Sequence, residues 1–425
     1  MDRLFAEIEA RREEMVELCR ELVRIPTVNP PGEAYAPCAE LLGRRLAQRG
    51  FEVHYLRATD ERADSDRFPR INVVARRDGK TRGKTVHFNG HIDVVPAGDG
   101  WTVDPWAGEV HDGRLYGRGS CDMKGGIAAA VIAVETLVDL FPDLPGALEI
   151  SGTVDEESGG FAGVAFLARK GVLSRPRVDH VIIPEPLDVD RVCIGHRGVW
   201  WAEIETRGRI AHGSMPFLGD SAIRHMGALL ARFEQELFPR LAQRRTAMPV
   251  VPEAARVSTL NINSIHGGQP EGLDGLPSPC VADSCRLVLD RRFLVEERIE
   301  DVRGEVVAIL EGLARERPGF RWQLRDLMTV EPVLVDRTLP VPRTVAQAIR
   351  RVLGREPAFV CSPGTYDQKH ILRIGRLEDC VAYGPGILDL AHQPDEFVII
   401  DDMVASAKVM ALAALTLLEE GRLQG

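Results

Sequence analysis

Thr85-Val86-His87-Phe88-Asn89-Gly90-His91-Ile92-Asp93 reads as a short strand that runs into a glycine and stops at an imidazole and a carboxylate. The same pattern recurs twice. Ala147 to Thr153 leads into Asp155-Glu156-Glu157-Ser158-Gly159-Gly160, and Val178 to Ile183 leads into Pro184-Glu185-Pro186. Helical stretches lie between these strands, one from Gly125 through Leu140 and one from Gly160 to Lys170. Strands that alternate with helices make a largely parallel sheet covered on both faces, because parallel neighbours need a crossover and the crossover helices pack on the sheet. Ligands in such sheets bind beyond the carboxyl ends of the strands. The three polar strand ends therefore predict both an α/β fold and the place of its chemistry.

Working outward, residues 1–57 alternate an amphipathic helix reaching Val23, a Pro-rich loop (Ile25 to Gly32), a helix from Tyr35 to Gly50 and a strand from Phe51 to Leu56. A strand near Arg70 to Ala75 follows. The pattern changes near Gly195. A strand at Val199 to Glu205, a helix at Ser221 to Glu236, strands at Val257 to Ile265 and Val281 to Phe293, a helix at Glu296 to Arg317 and a strand at Phe320 to Thr329 follow in order. This βαββαβ order is that of a small open-faced, ferredoxin-like sandwich. After Pro332 helix and strand alternate again, up to a long Ala/Leu/Met helix from Met403 to Glu420. The expected organisation is one α/β domain, a mostly parallel mixed sheet sandwiched by helices, built from residues 1–194 and 333–425. Residues 195–332 form an inserted lid or dimerisation domain.

The 425 residues carry 53 Lys and Arg against 63 Asp and Glu, a formal charge of −10. Nucleic acid and anionic membrane both require a basic surface, so neither is expected as a partner. No uncharged apolar run reaches the ~20 residues of a membrane span, and the start of the chain lacks the apolar core of a signal peptide. The eight cysteines form no C-x-x-C pair. A reducing cytoplasm is the expected location.

The residue types at the strand ends suit metal chemistry. Asp93 follows His91 at the spacing from which a carboxylate reaches an imidazole and fixes its tautomer. Asp122 lies in Gly117-Arg118-Gly119-Ser120-Cys121-Asp122-Met123-Lys124-Gly125-Gly126, where glycines let the backbone approach a ligand. That stretch is no dinucleotide loop, because Asp122 takes the place of the third glycine and would repel a pyrophosphate. Glu156 and Glu157 are adjacent acids that point in opposite directions on an extended chain, so one can bind metal while the other moves protons. Prolines on both sides hold Glu185 stiffly. His392 sits in a loop of the same character, Gly384-Pro385-Gly386 through Ala391-His392-Gln393-Pro394-Asp395-Glu396.

In this order the motifs carry a resemblance. The chain is similar to the co-catalytic metallopeptidases that include acetylornithine deacetylase, succinyl-diaminopimelate desuccinylase, aminoacylase and carboxypeptidase G. The resemblance spans nearly the whole chain, inserted domain included. It implies two divalent metal ions, zinc foremost with manganese or cobalt as alternatives. Asp122 would bridge them at a spacing of about 3.5 Å. His91 and Glu185 would complete one metal, Glu157 and His392 the other. It also implies a cis peptide at Asp122-Met123, Asp93 as the group that orients His91, and Glu156 as the base that moves a proton from water to the leaving amine. His212, in Ala211-His212-Gly213-Ser214-Met215-Pro216, would donate to the oxyanion from the other subunit of a homodimer. Arg292, with Arg291 one position away as the alternative, would grip a substrate carboxylate.

Two stretches depart from the family pattern. Relatives often carry Gly-Gly-Thr-Asp near the substrate, where this chain has Pro363-Gly364-Thr365-Tyr366-Asp367. They also tend to have an Asn-led turn where this chain has Asp274-Gly275-Leu276-Pro277. Both stretches bear on substrate identity, with Gly364 as a substrate contact, and leave the hydrolytic groups intact. The expected activity is hydrolysis of the amide bond of a small N-acyl amino acid or N-acyl amine. The alternative is an aminohydrolase that releases ammonia from a small, possibly aromatic, acid.

Overall fold

The computed structural model describes residues 1–269 and 278–420, so the Asp274-led turn lies outside the described residues. The described chain divides into two compact units. The first comprises residues 1–195, 335–360 and 366–425; the second comprises residues 196–334 and the short segment 361–365.

The core of the first unit is a mixed sheet. Its strands run in the order Glu52–Arg57, Ile71–Asp78, Pro145–Thr153, Thr81–His91, His180–Pro186, Cys380–Gly384, Arg191–His196. The four central strands are parallel to one another. The strands flanking them on each side are antiparallel. Antiparallel edges need only short connections, so the crossover helices concentrate over the centre. Gly125–Leu140 is the most buried of them, with nearly every side chain enclosed, and Ile400–Glu420 packs against it. A helix apolar all round must be buried on all sides. The opening helix is broken at Arg11 into Asp2–Ala10 and Arg12–Val23, and the stretch from Gly160 forms an irregular turn before a short helix, Phe166–Arg169.

Two of the central strands, Thr81–His91 and Pro145–Thr153, are apolar on one face only. Val86 and Phe88 alternate with His87, Asn89 and His91, and Leu148 and Ile150 alternate with Glu149, Ser151 and Thr153. The two strands are in register, His87 beside Glu149, Asn89 beside Ser151, and His91 beside Thr153. All six polar residues are buried.

The second unit is an antiparallel sheet in the order Thr259–Gly267, Ser284–Phe293, Gly198–Arg207, Arg321–Val330. Its helices Ala222–Arg232 and Ile299–Glu316 bury one face around Trp200, Ile204, Phe233, Leu287, Leu289, Phe293 and Leu310. The outer strands alternate between exposed and half-buried positions, the signature of a sheet with one solvated face.

Candidate metal centre

Five side chains meet at the carboxyl ends of the parallel strands of the first unit. His91 ends its strand, and Glu185 is the last residue but one of the strand beside it. Glu157 follows Asp155, whose φ of 61° turns the chain sharply after Thr153. Asp122 lies in an irregular turn before the buried helix, with a cis peptide to Met123. His392 comes from the loop near the far end of the chain, at a φ of 66°.

Asp122 stands between the two imidazoles. Its Oδ1 is 3.1 Å from His91 Nε2, and its Oδ2 is 3.5 Å from His392 Nε2. Glu185 Oε1 lies 3.8 Å from His91 Nε2 on one side, and Glu157 Oε1 lies 3.0 Å from His392 Nε2 on the other. One carboxylate thus presents an oxygen to each of two His–Glu pairs. Imidazole and carboxylate donors fit zinc and comparable divalent ions. His91 and Glu185 can hold one ion and Glu157 and His392 a second, with Asp122 shared.

The acids and imidazoles meanwhile hold one another's protons. Despite burial, His91 is raised well above the ordinary histidine value by its bonds to Asp122 and Asp93. Bonds to Asp122 and Glu157 push His392 up to about 10. Burial opposes ionisation of Asp122, yet the two imidazoles hold it below the usual range. Burial, with the Asp122 charge, pushes Glu157 up to about 7, and the same two causes raise Glu185 well above its ordinary value. Cation binding at such a cluster must displace protons, which makes affinity rise with pH.

The surrounding groups fix these donors in place. His91 Nδ1 donates to the backbone carbonyl of Asp93 at 3.0 Å, which leaves the Nε2 lone pair for a ligand. The Asp93 carboxylate is farther from that ring, at 3.6 Å. It accepts instead from the backbone N–H groups of Glu156 and Glu157, each at 3.1 Å, and from Asn29 Nδ2 at 3.1 Å. Asp93 therefore straps the turn that bears two acids to the strand that bears His91. The tautomer control expected of the Asp93 carboxylate falls in this structure to the Asp93 carbonyl, because the carboxylate is taken up by the N–H groups of the turn. Asp155 is held in turn by Tyr35 Oη at 2.8 Å and Arg70 Nε at 3.0 Å. The buried Glu396 accepts from the N–H groups of Cys121 and Asp122, at 3.0 and 3.1 Å, while Arg118 pairs with its other oxygen. The Gly117-Arg118-Gly119 and Pro394-Asp395-Glu396 motifs thus form one latch behind Asp122.

Glu156 points away from Glu157 and meets Lys369. Lys369 Nζ donates to Glu156 Oε1 at 2.7 Å, and the lysine side chain is 3% exposed. Lys369 was not among the expected residues, while Asp367, Arg118 and Glu396 stood in motifs of the family pattern without a role of their own. The sequence signal was the polar run Asp367-Gln368-Lys369-His370, all of which the fold buries.

The remaining predicted residues belong to the second unit. His212 is exposed, and its Nδ1 is 2.7 Å from Ser214 Oγ. Arg291 is almost fully buried and pairs with Glu297 at 2.7 Å, a role in packing. Arg292 keeps 25% of its side chain exposed and pairs with Asp290 on its own strand. Arg197, absent from the sequence reading, donates to the carbonyls of Pro363 and Val257, and burial and then the charge of Arg292 push it down to about 10. The N–H of Gly364 bonds Ser362 Oγ at 3.2 Å.

The chain is similar to known proteins over nearly its whole length. The model of peptidase family M20/M25/M40 matches residues 87–416. A succinyl-diaminopimelate desuccinylase of Stenotrophomonas maltophilia is 31% identical over 399 residues, covering 92% of this chain and 96% of that protein. Human carnosine dipeptidase 1 superposes with a TM-score of 0.75 at 19% identity, over 98% of each chain. The Bacillus subtilis YXEP protein, described as a dinuclear metal-binding peptidase, superposes with a TM-score of 0.69 at 16% identity, over 97% of this chain and 99% of that one.

Proposed function

The chain belongs to peptidase family M20/M25/M40, and we propose that it is a dinuclear metal-dependent hydrolase that removes the acyl group from a small N-acyl amino acid. One observation carries the reading: a single carboxylate, Asp122, offers one oxygen to each of two His–Glu pairs. Two bound divalent ions would polarise the scissile carbonyl and acidify the attacking water. The imidazole and carboxylate set favours zinc, with manganese and cobalt as the competitors.

The protein groups then move the proton. Glu156 takes it from the water that attacks the carbonyl carbon and returns it to the nitrogen as the C–N bond breaks. The products are a carboxylic acid and a free amine. His212 supplies a donor to the oxyanion from a second copy of the chain, for which a homodimer through the inserted unit is required. Arg292, with Arg197 beside it and the Gly364 segment, receives the substrate carboxylate, since guanidinium groups bind carboxylates bidentately. The described cysteines are all free thiols, which suits a cytoplasmic enzyme.

The test is a panel of N-acyl amino acids and amino-aromatic acids, assayed with zinc, manganese and cobalt, with carboxylic acid and ammonia measured separately. Equal release of carboxylic acid and amine, abolished in Glu156→Gln at unchanged metal content, is the expected result. Ammonia without a carboxylic acid would replace the deacylase reading with an aminohydrolase.

A further inference from the structure

We propose that Lys369 and Asp367 are a positioning pair that presents Glu156 for proton transfer, and that a buried line of hydrogen bonds starting at His87 holds the pair in place. The proposal rests on the reading of Glu156 as the proton-transferring carboxylate.

Glu156 sits in a tight turn directly before a ligand, Glu157. A glutamate with three free torsions beside two cations would swing onto them as an extra ligand. Lys369 opposes this by holding Oε1 at 2.7 Å, which leaves Oε2 for water. Burying an ammonium is costly without counter-charge. Burial works against the charge on Lys369, and Glu156 and Asp367 together hold its pKa above the ordinary lysine value. Asp367 is itself buried. Its Oδ2 accepts from Asn89 Nδ2 at 2.8 Å and from Thr153 Oγ1 at 3.4 Å. Its Oδ1 has no hydrogen-bond partner among the described residues and lies so close to Gly160 that a methyl group there would approach to 2.9 Å. Burial and the charge of Glu156 push the Asp367 carboxyl up to about 7, and the Lys369 ammonium is the charge that opposes this and favours its ionised form.

The placement of Asp367 is dictated from the polar face of the central strands. Glu149 Oε2 is 2.8 Å from His87 Nδ1, and His87 Nε2 is 2.8 Å from Ser151 Oγ. Ser151 donates to Asn89 Oδ1 at 2.8 Å, so the Asn89 amide nitrogen must face Asp367. Arg177 and Arg76 close the outer end on Glu149. The Asp367 carboxylate can only accept from the Asn89 amide nitrogen, and the Asn89 oxygen this turns toward Ser151 can only accept from its hydroxyl. The amide of Asn89 does not conduct protons, so the line works by orientation. Five buried polar residues on two adjacent strands would be a liability in a sheet core unless they served a shared geometry.

The test uses the full-length, metal-loaded enzyme with Lys369→Met, Lys369→Gln, Asp367→Asn and Glu156→Gln. Metal content, melting temperature, kcat and KM are measured, and methylammonium is added to the lysine variants. The expected result for Lys369→Met is a kcat lower by about 10²-fold, the cost of a misplaced catalytic group, at unchanged KM and metal content. Methylammonium should restore part of it, and Asp367→Asn should lower kcat in the same manner. Normal kcat in both lysine variants overturns the proposal. So does a raised KM at normal kcat, which would make Lys369 a substrate contact, or a loss of kcat that follows loss of metal without methylammonium rescue. If Glu156→Gln keeps its kcat, the reading of Glu156 has failed instead.

Discussion

Asp93→Asn separates two roles for one carboxylate. As an anion Asp93 accepts three N–H bonds, from Glu156, Glu157 and Asn29. Burial opposes its charge, yet the neighbouring His91 ring and the bonds from Asn29 and the Glu157 backbone hold its pKa below the ordinary value. The folded state therefore favours the anion. Asparagine keeps one acceptor oxygen and turns an NH₂ group toward the other donors. At least one buried N–H loses its partner, at about 1–3 kcal/mol, and the remaining bonds lose their charge assistance, about 1 kcal/mol more. A total of about 2–4 kcal/mol follows. For a unit of roughly 280 residues the unfolding entropy is about 0.6 kcal/mol per degree, so the melting temperature should fall by about 3–7 °C. The measurement is thermal and urea unfolding of chelator-treated protein, followed by zinc titration. Metal affinity should drop 10- to 100-fold, as when a group supporting a ligand is lost. If Asp93 served only to orient the His91 ring, metal affinity would fall while the stability of the metal-free protein stayed the same. Unchanged stability would thus refute the strap.

Three further outcomes follow from the same geometry. Burial pushes His370 down from 6.5 to about 4, so between those values the unfolded chain binds a proton that the folded chain refuses, and stability falls as pH drops. The metal-free protein should lose about 3 kcal/mol from this group between pH 7 and pH 4, and His370→Gln should flatten that part of the urea-midpoint profile. A Cβ on Gly126 would lie 1.9 Å from the carbonyl oxygen of Pro184, so Gly126→Ala should cost about 1–3 kcal/mol in unfolding experiments and weaken metal binding by displacing Glu185. His212→Ala should lower kcat by about 10²–10³-fold at unchanged metal content, checked by steady-state kinetics, if it serves as the oxyanion donor.

Most of the architecture was legible because it is written locally. Strand and helix lengths follow from the period of apolar residues, and the αβ alternation leaves few topologies open. Gly125–Leu140 has the bounds expected from its composition. Boundaries shifted where tertiary contacts extend a strand, as in Thr81–His91 and His180–Pro186, which carry His91 and Glu185 inside their strands rather than beyond them. The polar face of the central strands was missed for a physical reason. A run such as Val86-His87-Phe88-Asn89 looks apolar overall, and only its partner strand shows that the alternate residues have bonded neighbours.

The sequence by itself determined which side chains stand at strand ends and in glycine-rich turns, since those are properties of a few consecutive residues. It did not determine which atoms meet. Asp122 lies between His91 and His392, Glu396 holds the backbone of Asp122, and Lys369 reaches Glu156, each across a long stretch of chain. Those meetings depend on the order of strands in the sheet, which brings distant loops to one edge. Local spacing carries no record of that order. The identity of the donors was therefore a matter of sequence, while their pairing, and the proton positions that follow from it, arose only when the sheet closed around them.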